Sequence, residues 1–501
     1  MSGTSRAFSS EGAVDVATVA AALQPRFTVA AGEQATVLRT WLDTFDWRLH
    51  AAGISLQYAD GGPLVMQFPD GARLQAPLAG VTWPAQAHDL PPGPLRDALA
   101  PLIVPRALTP VVTVGSATQE LRVLDREEKT VARLLTDSVD GGGSQLSIQP
   151  LRGYDAAGER IARLLAGVDG FAAVAMTPYD LALTRAPRTP VNGSGASAPL
   201  RAKTVAAVAV AEMLMGFAAA IEDNIPGTIA SIDVEFLHDL RVAVRRTRSI
   251  LKLIGDVLPN KMAERFAPDF KWLGDLTTPV RDLDVYLLEL DAMASRLTSA
   301  APGDLDPFRA FLVKHRAAER RKLVRGLRSK RFENLLGDWQ AELVEVMNDD
   351  QGGPTVAKLA RRRLRQAYRD AARRGARIDA NSPSGDVHTL RKRCKELRYL
   401  LEVFKPVCDS APHRALLKEL KSLQDTLGDF QDGEVQREAV REFAAAMMEQ
   451  GAAPPATMLA MGEMAAQLDA HQLKARAALA GRLQPFLAED NRARVEALVR
   501  R

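Results

Sequence analysis

The stretch FLHDLRVAVRRTRSILKL, residues 236–253, combines a helical hydrophobic pattern with a stripe of basic side chains. On a helix that turns by about 100° per residue, these basic side chains fall within one sector of roughly 80°. This set, the first stripe, consists of His238, Arg241, Arg245, Arg248 and Lys252. The adjacent sector is apolar and contains Leu237, Leu240, Val244 and Leu251. The first stripe therefore borders the buried face of the helix, which predicts that it lines a groove.

The same pattern recurs at an offset of 150 residues, in HTLRKRCKELRYLLEVF, residues 388–404. The basic side chains of this copy, the second stripe, are His388, Arg391, Lys395 and Arg398. The match continues without a gap into the next helical segment. There Leu273, Asp275, Asp282 and Val285 correspond to Leu423, Asp425, Asp432 and Val435, and Lys271 corresponds to Lys421. The sequence therefore predicts two copies of a helical bundle, each with one basic stripe.

Each basic residue taken alone has an ordinary explanation. Basic side chains on helices are usually solvated or paired with an acid one turn away. The acids available for such pairs are Asp239, Asp282, Asp284, Glu396 and Asp432. However, each stripe holds four or five basic groups on one face, with no interleaved acid on that face before Glu402, and would repel itself unless an anion occupied it. The pair of stripes therefore predicts a polyanion as the binding partner.

The composition is that of a globular protein with two or three domains, since 47% of the 501 residues are hydrophobic and 25% are charged. Before residue 201, Lys and Arg number 16 against 19 Asp and Glu, and from there on they number 49 against 42. The basic excess therefore belongs to the C-terminal part. The two cysteines, Cys394 and Cys408, lack CxxC spacing, which predicts a reducing compartment and no zinc site.

Nothing in the sequence predicts a membrane partner. Residues 1–10 lack the apolar core of a secretory signal, and the longest apolar stretch, Val205 to Ile221, is interrupted by Glu212. We therefore expect a cytoplasmic protein without a membrane span.

The N-terminal part is predicted to be an α+β domain, residues 26–185, preceded by a disordered tail, residues 1–25. The strand-like runs ISLQY, LVMQF, PVVTVG and LRVLD alternate with turn residues, which indicates an antiparallel sheet or barrel. Two helices are predicted between them, at Gln34–Trp47 and Asp155–Ala166.

A Pro-, Gly- and Ser-rich segment, residues 186–200, is predicted to link this domain to the rest of the chain. Beyond it the strand patterns vanish. Residues 201–501 show helical periodicity punctuated by Pro and Gly, which predicts an all-α domain of roughly eight to ten helices.

The helical part resembles a known family. HDLRVAVRRTRS followed by FKWLGDLTTPVRDLDV, and HTLRKRCKELRYLLEVF followed by LKELKSLQDTLGDFQD, are similar to the two halves of a CHAD domain, the conserved histidine α-helical domain. The resemblance covers residues 201–501, with halves at about 201–345 and 355–501. It implies two pseudo-symmetric helical bundles and a basic groove that binds inorganic polyphosphate.

The resemblance also implies which residues bind the ligand. These are the two histidines and the other basic residues of both stripes apart from Lys252, together with Arg281 and Tyr399. Lys252, from its place in the first stripe, and Lys421, from its match with Lys271 in the repeat, are further candidates for binding polyphosphate. Because His238 and His388 have no Ser or Cys nucleophile beside them, they are expected to position phosphate and not to catalyse. One departure is that Leu427 and Gly428 correspond to Thr277 and Thr278, followed by Pro279, so a different local turn is expected in the first half.

The segment TWLDTFDWRLHAAGISLQY, residues 40–58, is similar to part of a CYTH domain. Domains of that family bind triphosphates in a β-tunnel, using glutamates, lysines and arginines with a divalent metal. Here no ExExK strand opens the chain, Gln57 stands where a basic residue is expected, LVMQF has no Lys, and LSIQP lacks paired glutamates. Since triphosphate chemistry needs those charges, we expect a degenerate CYTH-like domain that has no catalytic residues, cofactor or metal.

The predicted function is therefore polyphosphate binding, which would target the protein to polyphosphate granules in the cytoplasm. Three alternatives remain. Nucleic-acid binding by the same groove is disfavoured because only 5% of residues are aromatic and no aromatic platform interrupts the stripes. Triphosphatase activity of the N-terminal domain would appear as phosphate release from tripolyphosphate with Mg²⁺ or Mn²⁺. The third is a scaffold role at storage granules. The oligomeric state and the preferred chain length stay open.

Overall fold

The chain folds into two compact units, residues 1–194 and 195–501. The structure is a computed structural model, and it describes residues 7–78, 80–141, 143–173, 177–190, 200–349, 352–379 and 381–499. Most of the predicted linker, residues 191–199, lies outside these described residues.

An antiparallel sheet forms the centre of the first unit. Its strands are β1 (Ala7–Ser10), β2 (Thr28–Thr44), β3 (Ser55–Ala59), β4 (Leu64–Gln67), β5 (Arg73–Ala76), β6 (Leu108–Leu124), β7 (Thr130–Val139) and β8 (Gly143–Pro150). The strand order is β1-β8-β7-β6-β2-β3-β4-β5, and every neighbouring pair is antiparallel. This confirms the prediction of an α+β unit with an antiparallel sheet.

Short helices cover the sheet of the first unit. They are α1 (Val16–Leu23), α2 (Arg48–Ala51), α3 (Pro94–Ile103), α4 (Asp155–Leu165) and α5 (Pro178–Leu183). α1 and α4 pack on the face of β6, β7 and β8 that buries Leu121, Leu134 and Ile148. The helix predicted at residues 155–166 is therefore confirmed as α4.

Two predictions for this unit differ from the structure. The helix predicted at Gln34–Trp47 is wrong, because residues 34–44 belong to β2. This segment contains Thr, Val and Trp, which favour strands, and it pairs with β6 along its length and with β3 at its end. The predicted disordered tail is ordered from Ala7 onwards. β1 pairs with β8, and α1 buries Val19 and Leu23 against the sheet.

The second unit is all-α and contains ten α-helices among its described residues, within the predicted range. They are α6 (Ala206–Ala230), α7 (Val234–Ile254), α8 (Met262–Ala294), α9 (Asp306–Leu327), α10 (Lys330–Met347), α11 (Val356–Gly375), α12 (Ser384–Phe404), α13 (Ser410–Glu449), α14 (Pro455–Leu487) and α15 (Glu489–Ala497). Among them, no helix has the combination of length and apolarity needed to cross a membrane.

The two halves of this unit are related by the offset seen in the sequence. α12 begins and ends 150 residues after α7, and each is followed by a short 3₁₀ turn. Two backbone hydrogen bonds between the halves are also equivalent under this offset. Ala206 N–H donates to the Pro354 carbonyl, and Val356 N–H, 150 residues later, donates to the Thr204 carbonyl, both at 2.9 Å. The prediction of pseudo-symmetric bundles is therefore confirmed.

One core holds the two halves together. Apolar side chains of α7 and α12 belong to the same buried cluster, with α6, α8, α10, α11 and α13 contributing to it. Cys394 lies in this cluster on α12, as its position in the apolar pattern predicts, and burial raises the pKa of its thiol to about 12. The stripes are thus carried by helices whose adjacent apolar faces are fixed in the core.

Candidate functional site

The apolar and basic sectors of α7 are arranged as its sequence predicts. Asp233 caps the helix start, and its carboxylate accepts hydrogen bonds from the N–H groups of Glu235 and Phe236. The four apolar residues of the adjacent sector are buried in the core. Within the first stripe, His238 and Arg241 are half-buried, whereas Arg245, Arg248 and Lys252 are exposed.

Arg241 is held against α8. Its Nη1 donates to the hydroxyls of Thr278 at 2.7 Å and Thr277 at 3.2 Å, and to the Gly274 carbonyl at 3.4 Å. Burial lowers the pKa of Arg241, and the nearby Arg245 lowers it further, against the effect of Asp282. The different turn predicted at Thr277 and Thr278 is absent, because α8 continues through Pro279.

Arg245 and Arg248 are the free cations of the first stripe. Neither side chain has a hydrogen bond or an ion pair with a described residue. Arg248 lies against Gly274, where any larger side chain would collide with its guanidinium. Lys252 differs, because its Nζ is 2.7 Å from the Glu396 carboxylate on α12.

An open depression of about 530 Å³ lies beside the first stripe, between α7 and α8. Arg245, Arg248, Lys252 and Lys271 line it, and Glu264 is the acidic residue in its wall. Cations from two helices therefore surround a volume that is open to solvent and large enough for a phosphate chain.

The second stripe carries more compensating acids. Arg391 Nη2 is 2.9 Å from the Asp432 carboxylate. Arg398 Nε is 2.7 Å from Glu402, and its Nη1 donates to the Gln424 side chain at 3.3 Å. Lys395 is exposed and has no hydrogen bond or ion pair within the described ranges.

Corresponding positions of the repeat, Arg281 and Gln431, act on the two histidines in different ways. Nδ1 of His388 is hydrogen-bonded to the side-chain oxygen of Gln431. The first-half counterpart of Gln431 is Arg281, which donates to the Val234 carbonyl at 3.5 Å. Burial lowers the pKa of His238, and the charge of Arg281 adds to this effect.

Cations of the two stripes lie close enough for a charge on one stripe to change a pKa on the other. Burial and then Arg391 lower the pKa of Lys395, and Arg245 from the first stripe lowers it further. The Lys252–Glu396 ion pair also joins α7 directly to α12. The structure therefore brings exposed cations of the two repeats close together.

Two of the weaker candidates make no hydrogen bond or ion pair with these cations among the described residues. Tyr399 and its counterpart Ser249 line a separate pocket of about 260 Å³, whose wall includes the apolar side chains of Met213, Phe217 and Ile250. Lys421 is exposed on α13 and forms no ion pair with the described part of the chain.

Several residues that organise the surface were not predicted as site residues. They are Thr277, Thr278, Glu396, Gln424 and Gln431. The repeat offset contains a signal for Gln431, because it pairs this residue with Arg281, which was predicted. It contains none for Glu396, whose partner Lys252 lies on the other half.

A metal cluster was not expected here. In the described ranges, no group of three or more His, Cys, Asp and Glu side chains is placed so that it could hold a metal ion.

The environment of His238 predicts a pH dependence of the unliganded protein. Because its folded-state pKa lies below the usual 6.5, the unfolded chain takes up the proton more readily. We expect the contribution of His238 to stability to be present above pH 6.5 and to be lost as the pH falls below it. Thermal unfolding of the native protein and of His238→Gln between pH 7.5 and 5.5 measures this. Parallel decreases in Tm for the two proteins would contradict the assignment.

The helical unit is similar to known proteins. Residues 212–441 match the family model described as the CHAD domain. A crystal structure of the CHAD domain from the plant Ricinus communis is 27% identical, has a TM-score of 0.50, and is matched over 59% of this chain and 96% of that chain. PptA from Streptomyces chartreusis is 18% identical, with a TM-score of 0.43 over 56% of this chain and 100% of its own.

Two curated relatives come from Mycobacterium tuberculosis. They are Uncharacterized protein Rv2226 of strain ATCC 25618 / H37Rv and Uncharacterized protein MT2285 of strain CDC 1551 / Oshkosh. Each is 28% identical over 219 residues, which is 42% of this chain. The match spans 40% of the length of these relatives.

Proposed function

Since the helical unit of this chain contains a CHAD domain, we propose that it binds inorganic polyphosphate through the basic surface that α7 and α12 share. The observation that carries the proposal is the set of exposed cations whose side chains form no hydrogen bond or ion pair with a described residue, Arg245, Arg248 and Lys395. They come from both halves, and Arg245 acts on the pKa of Lys395. A linear anion with about one charge per phosphate unit matches such a surface.

The individual side chains suit phosphate oxygens in different ways. A guanidinium can present paired N–H donors to one phosphate, whereas the ammonium of Lys395 acts as a compact charge. The hydrogen bonds of Arg241 all involve Nη1, so its Nη2 is left for a ligand. Gln431 accepts a hydrogen bond from Nδ1 of His388, and Nε2 of that ring donates to phosphate in the doubly protonated imidazolium form. These prior contacts reduce the side-chain entropy lost on binding.

We further propose that this binding targets the protein to polyphosphate granules and that the first unit has no triphosphatase activity. The acids of its CYTH-like segment are engaged internally, which supports this. The buried Asp43 carboxylate accepts hydrogen bonds from the N–H groups of Leu49 at 3.0 Å and His50 at 2.9 Å, and so holds α2. Asp46 is 3.0 Å from Arg48. Both carboxylates therefore already have partners within the first unit.

Long-chain polyphosphate is expected to raise the Tm of the helical unit. A ligand that binds only the folded state at 100 times its Kd adds about 2.7 kcal/mol, which corresponds to roughly 4 °C for a unit of this size. Differential scanning fluorimetry of the full chain measures the shift. Orthophosphate at the same total phosphate concentration is the control and should change Tm little. An unchanged Tm with long chains would contradict polyphosphate binding.

A further inference from the structure

The two stripes differ in how much of their positive charge is free. In the first stripe, the Arg248 side chain forms no ion pair or hydrogen bond with a described residue, and the residue one turn later is Lys252. In the second stripe, the counterpart of Lys252 is Glu402, which pairs with Arg398 at 2.7 Å. At this position the first half therefore has a lysine, Lys252, and the second half has an acid, Glu402. The acid forms an ion pair with the arginine one turn before it, Arg398.

The arginines one turn from the histidines differ in the same direction. Arg391 pairs with Asp432, whereas Arg241 forms no ion pair with the corresponding acid, Asp282. The cause is local. Thr277 and Thr278 supply hydroxyls that hold Arg241 against α8, and their second-half counterparts Leu427 and Gly428 have none. In the second half, the carboxylate takes the place of these hydroxyls.

We propose that Asp432 and Glu402 make the second stripe a conditional site, which engages a polyphosphate chain already bound to the first stripe. This inference rests on the proposed function. Both carboxylates are substantially exposed, at 63% and 40%, so phosphate can displace them. A free short anion would have to compete with them from dilute solution, and they also repel it.

A long polyphosphate chain reaches the second stripe in a different way from a short anion. Once part of it is held by Arg245 and Arg248, the next phosphates are present at a high effective concentration beside Lys395. Exchange of the carboxylates for phosphate is then an intramolecular step. The surface therefore selects long polyphosphate over tripolyphosphate and other short anions, with the acids of the second half as the specificity-determining residues.

Isothermal titration calorimetry with tripolyphosphate and with long-chain polyphosphate tests this selection. The test variant is Glu402→Gln/Asp432→Asn, which removes both charges and keeps hydrogen-bonding groups. The matched control is Asp338→Asn/Glu345→Gln, which removes two exposed acids of α10. Thermal unfolding verifies that both variants fold.

We expect the native protein and the control to bind one tripolyphosphate each. The test variant should bind two, with affinity higher by about three- to tenfold, the size expected for releasing two exposed ion pairs. Its affinity for long chains should change less. The single variant Glu402→Lys, which restores the residue of the first stripe, should shift tripolyphosphate binding in the same direction and provides a second test.

The failures can be distinguished. Unchanged tripolyphosphate binding in both variants, with normal long-chain binding, would overturn the conditional site alone. Two equivalent tripolyphosphate sites on the native protein would also overturn it. Loss of long-chain binding in the native protein would instead overturn the proposed function.

Discussion

Replacing Arg245, Arg248 and Lys395 together by Glu is expected to abolish polyphosphate binding, with affinity falling by at least about 100-fold. Each replacement removes one charge-assisted contact and introduces repulsion towards phosphate, so that each contributes about 1 kcal/mol or more. The three side chains are exposed and have no hydrogen bond or ion pair in the described chain. Helical content and Tm without ligand should therefore stay close to native.

The choice of these positions follows from the structure. The sequence alone favours reversing Arg241, Arg245, Arg391 and Lys395. However, Arg241 is bonded to three groups on α8, and Arg391 pairs with Asp432 on α13. A variant that includes them would change folding and binding together, whereas the triple variant separates the two effects.

Binding of labelled polyphosphate and far-UV circular dichroism are the measurements for the triple variant. The control reverses Lys314, Lys358 and Arg482, three exposed cations on α9, α11 and α14, and so changes the net charge equally. This control should retain most of the native affinity. Near-native affinity of the triple variant, or its unfolding when the control folds, would show that the stripes have a structural role.

A steep salt dependence is the second large effect that we expect. Each phosphate neutralised by a cation releases condensed counterions, by analogy with nucleic acids, so log K falls linearly with log salt. With four to five such contacts, affinity should fall by roughly 10²–10³ between about 50 and 200 mM salt. The triple variant should show a shallower slope, because fewer phosphates are neutralised.

Titrations of polyphosphate over a series of NaCl concentrations give this slope. At physiological salt, single-stranded DNA should compete poorly, since Tyr399 lies in a separate pocket and no aromatic platform accompanies the cations in the sequence. Affinity that is insensitive to salt would contradict the electrostatic mechanism. Comparable affinities for DNA and polyphosphate would favour a general polyanion-binding protein.

The sequence predicted the parts of this surface that depend on periodicity. The helical face of the first stripe, the burial of Leu240 and Val244 beside it, and the second copy at a fixed offset all follow from spacing along one chain segment. Periodicity is informative here because α7 and α12 each pack through one face, so that the buried sector determines where the cations lie.

The sequence could not predict which cations are free. Arg241 donates hydrogen bonds to Thr277 and Thr278 on α8, and Arg391 forms an ion pair with Asp432 on α13. Both contacts depend on how α8 and α13 pack on the helices that carry the stripes. Pairing between distant segments also explains the error in the first unit. Residues 34–44 form a strand because β6, which is distant in sequence, pairs with one edge along their length and β3 pairs with the other edge at residues 39–42.

The ion pair between Lys252 and Glu396 also determines which halves can associate. By the repeat offset, Arg246 stands in the first half where Glu396 stands in the second. Two copies of the first half, packed in the same way, would place Lys252 against Arg246, and two copies of the second would place Glu402 against Glu396. Like charges thus oppose self-association of either half, and the duplicated chain favours pairing between unlike partners.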